Sequence, residues 1–78
     1  MSRFFFNLYD DDPVRADDEG LELPDAAAAC NEARLFAADL ISEEIKESGR
    51  FDPEHRIEIS DEQHRVVSVL KLADMMRA

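Results

Sequence analysis

Seven residues near the start of the chain, Arg3-Phe4-Phe5-Phe6-Asn7-Leu8-Tyr9, hold four of its six aromatic side chains. Alternation along a strand puts Phe4, Phe6 and Leu8 on one face and Phe5, Asn7 and Tyr9 on the other. Both faces are therefore aromatic, and such a strand needs burial on at least one of them. That places it in the interior of a sheet rather than at an edge. Asp10-Asp11-Asp12-Pro13 follows at once, with the residue types that break a strand and turn the chain.

The remaining elements arrange themselves around this strand, read as residues 3–9. Residues 14–18 read as a second strand, closed by Glu19-Gly20 and poor enough in apolar residues to suit an edge. The one strong helix runs over 24–48. Pro24 suits its first turn, Asp25 sets a carboxylate at the positive end of the dipole, and Gly49 stops it. Ala26, Ala29, Cys30, Ala33, Phe36, Ala37, Leu40 and Ile41 share a stripe at helical spacing. The small residues of its first half let the helix lie close to a sheet. After a loop at Arg50-Phe51-Asp52-Pro53, strands are expected at 55–60 and 65–71, and a short helix at 72–77.

A type I turn at Glu62-Gln63, with His64 in the left-handed position, pairs Asp61 with Arg65. Ile59 then faces Val67, and Ile57 faces Val69. A two-residue turn would oppose Ile59 to His64, a poorer match. The expected fold is a β-β-α-β-β two-layer α+β sandwich, one domain over residues 1–78. Its antiparallel sheet has spatial order 2-1-3-4.

A 78-residue chain hides only roughly 60–65% of its unfolded surface on folding, so small domains usually recruit a disulfide, a metal or a second subunit. Cys30 is the only cysteine and cannot pair within the chain. Oligomerisation is the expectation that remains. Nineteen acids against nine scattered bases give a net charge of −10, which repels nucleic-acid backbones and anionic membranes. No stretch reads as a signal peptide or a membrane span, and a lone cysteine suits a reducing compartment, so a cytoplasmic location is expected.

Arg3-Phe4-Phe5-Phe6 is followed by Gly20-x-x-Leu23-Pro24-Asp25-x-x-Ala28-Ala29 and by Glu32-Ala33. With Asp61-Glu62-x-x-Arg65-Val66-Val67 near the end, the order and spacing resemble a family of very short bacterial proteins known only as a domain of unknown function. The resemblance spans almost the whole chain and implies a small stand-alone protein; it supplies no activity and no catalytic residues. Members often carry glycine where this chain has His64. A fainter similarity of layout is to the N-terminal domain of HicB-type antitoxins, α+β modules that bind a toxin. The DNA-binding extension such proteins often carry is not among these residues.

No catalytic signature stands out, and none of the residues calls for a cofactor. An EF-hand loop begun at Asp10 or at Asp17 fails at its fifth position, which is Val14 or Leu21. Cys30, His55 and His64 are isolated rather than paired at zinc-ligand spacing, and a Cys–His nucleophile would need an orienting third group. The surface worth testing is the sheet face away from the helix. Phe5, Asn7, Tyr9, Arg56, Glu58, Val66, Ser68 and Leu70 are placed on it. Exposed aromatics on a sheet suit single-stranded RNA, but the charge opposes that. The expected function is a non-enzymatic protein-interaction module, homodimeric through the open sheet face or a sheet edge. The alternative is an antitoxin-like or acidic-mimic inhibitor that neutralises a basic protein partner.

Overall fold

The computed structural model describes residues 1–10 and 15–76. In chain order it has β1 (Ser2–Tyr9), β2 (Leu21–Leu23), α1 (Ala26–Ser48), β3 (Arg56–Ser60), β4 (Val66–Lys71) and a terminal 3₁₀ turn (Leu72–Met76). The strands form one antiparallel sheet in the order β2-β1-β3-β4, with the helix on one face. This is the expected α+β arrangement, with the aromatic strand in its interior.

The helix begins where its cap dictates. Asp25 is extended, and its side chain accepts the Ala28 N–H at 2.9 Å. The helix therefore starts at Ala26, and Pro24 precedes it rather than occupying its first turn. Gly49, at φ 83°, closes the other end by donating its N–H to the Ile45 carbonyl. Ala29, Ala33 and Ala37 lie fully buried one turn apart, so the backbone of α1 can approach the sheet closely. Phe4, Ile57, Ile59, Leu70 and Leu72 complete the core. Ala26 and Phe36, expected on the buried stripe, are exposed.

Further expectations fail, each for a local reason. The second strand does not run over 14–18: Val14 lies outside the described residues, and Arg15 forms only a lone bridge with Leu8. The strand is Leu21–Leu23, paired Ser2 to Leu23 and Phe4 to Leu21. Between these points the backbone ladder is interrupted and side chains take its place. The Asp17 carboxylate accepts the Phe6 N–H at 3.1 Å, and Asn7 Oδ1 accepts the Asp17 N–H at 3.0 Å. The same carboxylate also accepts from Glu19 and Gly20, tightening the turn.

The hairpin turn forms as expected: Asp61 donates to the Arg65 carbonyl at 2.9 Å, and His64 takes φ 64°. Its register then slips by one residue. Ser60 faces Val66, but Ile59 faces Ser68 and Ile57 faces Leu70, leaving Val67 as an extra residue. Without that bulge Lys71 would point into the core opposite His55, and Leu70 would point out. The bulge reconciles the turn with burial of Leu70 and Leu72. The tail is a 3₁₀ turn ending at Met76 in place of a helix over 72–77, and Arg77 lies outside the described residues.

Candidate functional site

The outer face of the sheet carries Phe5, Asn7 and Tyr9 from β1 and Arg56, Glu58 and Ser60 from β3, as their pairing requires. The slipped register changes what β4 adds. Ser68 and Leu70, expected on this face, pair with Ile59 and Ile57 and so lie on the helix side; Leu70 is buried. Val66 is on the outer face as expected, joined by Val69, which pairs with Glu58, and by the extra residue Val67. These three valines are 53%, 43% and 46% exposed. Sequence reasoning missed Val67 and Val69 because a single inserted residue exchanges the two faces of a strand.

The aromatic half of this face is less open than its composition suggests. Gly20, at φ 70°, passes so close to β1 that a Cβ there would lie 2.8 Å from the Phe4 carbonyl oxygen and 3.0 Å from the Phe5 ring. On the turn side the His64 ring lies 6.3 Å from Phe5 between centroids. The Arg56 guanidinium sits 4.3 Å above the Tyr9 ring, and its Nε donates to Glu58 at 3.4 Å. Burial, together with a hydrogen bond to the Glu58 carboxylate, holds the Tyr9 hydroxyl above its ordinary pKa. Asn7 reaches Ser60 Oγ at 3.4 Å. All three β1 residues are half-buried, which leaves the valines as the most exposed apolar part.

The inner face, which carries Phe4, Phe6 and Leu8, is only partly covered. The helix lies over β3, β4 and the terminal turn, so only Phe4 of the inward β1 residues is buried; Phe6 and Leu8 are half-exposed. Phe36 reaches toward them and meets Phe6 edge to face, centroids 5.1 Å apart, yet stays 41% exposed. A hollow of about 480 Å³ lies here, bordered by Phe6, Leu8, Phe36, Leu40 and Ile57. Leu40 and Glu43 also border a second hollow of about 810 Å³, among Asp10, Glu44, Glu47 and Asp52.

The remaining chemistry-bearing residues are dispersed. His55 is a structural tie: Nδ1 lies 2.9 Å from Glu44 of the helix, and Nε2 lies 3.5 Å from Asp52. Its carbonyl accepts the Leu72 N–H. Cys30 is half-buried against the core at the other end of α1, about 20 Å along the axis from Glu44. His64 caps the hairpin. No group of three or more metal-ligating side chains occurs among the described residues, and Asp11 and Asp12 lie outside them. No helix among the described residues is long and apolar enough to cross a membrane.

A family model described as Domain of unknown function (DUF6894) matches residues 3–73. No curated protein and no solved structure matches the chain.

Proposed function

The chain belongs to that family of unknown function, and from this premise we propose that it is a non-enzymatic protein-interaction module, homodimeric through the outer face of its sheet. The observation that carries the reading is the row of exposed valines, Val66, Val67 and Val69, beside half-buried Phe5 and Tyr9. Charge favours a second copy as the partner. The strands set Arg3, Arg56 and Lys71 against Glu22 and Glu58 on this face, so it is close to neutral on a chain of net charge −10. Two copies can meet there with their acidic helices pointing apart, and a two-fold axis can bring bases of one against acids of the other.

The edges suit pairing less well. β2 is three residues long. On β4 the bulge disrupts one end, and the Lys71 N–H is taken by the Asp74 carboxylate at 3.0 Å. A standard interface takes about 800 Å² from each partner, which the broad side of a molecule with 5324 Å² of surface can supply. Sedimentation equilibrium tests the reading. The wild type is expected to be a dimer at high micromolar concentration and Val69→Lys a folded monomer; a monomeric wild type, or a Val69→Lys dimer, overturns it.

The acids around the end of α1 favour a second reading, an antitoxin-like inhibitor that neutralises a basic protein partner. Capture by charge weakens steeply as salt rises, whereas valine contacts do not.

A further inference from the structure

We propose that the open inner face between β1 and α1 is a groove that seats a basic amphipathic helix of a partner protein. This rests on the basic-partner reading and is independent of the outer-face dimer, whose formation leaves the inner face of each subunit uncovered. Phe6 and Leu8 form the floor, and Phe36 and Leu40 form the helix-side wall of the hollow of about 480 Å³. The wall residues are one helical turn apart, so a helix lying alongside α1 meets them with apolar side chains at the same i, i+4 spacing.

An apolar hollow alone would accept any apolar partner; the rim selects among them. Asp17, Asp39 and Glu43 border it, and Glu43 continues into the second hollow, where Glu44, Glu47 and Asp52 outnumber Arg50. Arg15, also on the rim, is paired with Asp10. Acids around an apolar floor are complementary to a helix with lysines or arginines flanking an apolar stripe. An acidic or neutral helix would bring like charge or uncompensated charge to the same rim.

The test uses a fluorescein-labelled leucine–lysine peptide of about four helical turns with its leucines on one face, and a scrambled peptide of the same composition. Anisotropy is expected to show the amphipathic peptide binding at least tenfold tighter than the scrambled one. Phe36→Ala and Glu43→Lys are each expected to weaken it at least tenfold, with folding checked by circular dichroism. Glu43 is exposed, so its variant tests the rim without disturbing the core. Equal binding of both peptides, lost in salt, overturns the groove while sparing the basic-partner reading. No binding of either peptide overturns both. Binding insensitive to Phe36→Ala and Glu43→Lys overturns the groove as the location.

Discussion

Two glycines separate backbone conformation from packing at the scale of single residues. Gly20 and Gly49 both have positive φ, but a Cβ at Gly49 would meet nothing within 4 Å, whereas at Gly20 it would collide with β1 backbone. Gly49→Ala should therefore cost about 1 kcal/mol, the price of a left-handed residue alone. Gly20→Ala should cost clearly more, on the order of 3 kcal/mol, because the Phe4 carbonyl cannot move without disturbing the ladder. Urea unfolding of both variants measures the difference; equal losses would mean that the 16–20 loop does not press on β1. Asp61 gives a second residue-scale expectation. Hydrogen bonds from the Arg65 and Gln63 backbone N–H groups, at 3.0 and 2.9 Å, with the Arg65 guanidinium nearby, hold its carboxyl below the usual carboxylate range. A depressed folded-state pKa contributes stability that is present above the ordinary carboxylate pKa and is lost as pH falls through the lower folded value. Asp61→Asn should thus lower stability at neutral pH and flatten the acid limb of the wild-type pH profile, read from thermal melts between neutral and strongly acidic buffer.

At the scale of elements, the hairpin is where local and global preferences part. The turn was legible because Asp61, the polar pair Glu62-Gln63 and His64 satisfy a pattern of four adjacent residues. The bulge was not, since Val66, Val67 and Val69 alternate acceptably with Ser68 and Leu70 in either register. Burial of Leu70 and Leu72, with Lys71 kept outside, decides between them. Charge substitution distinguishes the two: Leu70→Lys should destabilise by about 3 kcal/mol or prevent folding, while Val69→Lys should change monomer stability by less than about 0.5 kcal/mol. The reverse order would restore the unbulged pairing. The helix was legible almost to its ends, because Asp25 and Gly49 are strong local stops. The second strand was misplaced because Asp17 and Asn7 make strand-like bonds with side chains, which no alternation pattern records.

At the scale of the molecule, small size makes individual ties count. His55 joins the helix through Glu44, the preceding loop through Asp52 and the terminal turn through Leu72. His55→Ala should lower stability by about 2 kcal/mol, the loss of a half-buried, charge-assisted hydrogen bond that leaves Glu44 with one fewer donor. Glu44→Gln should cost less, since an amide still meets the ring. Differential scanning calorimetry of both variants checks the order. The two proposed surfaces also belong to this scale, and they lie on opposite faces of the sheet.

The residues by themselves determined the α+β class, the body of the helix and its stop at Gly49, the hairpin turn and the central place of the aromatic strand. Each follows from periodicity or from contacts a few residues apart, which a linear chain displays. Tertiary structure alone decided which valines face out, where the second strand pairs, and that Phe6 and Leu8 stay half-open while Phe5 and Tyr9 are half-covered. Those outcomes depend on how the helix, the bulge in β4 and the loop after β1 pack against the sheet. That packing joins residues far apart in the chain, and no short window of sequence contains it.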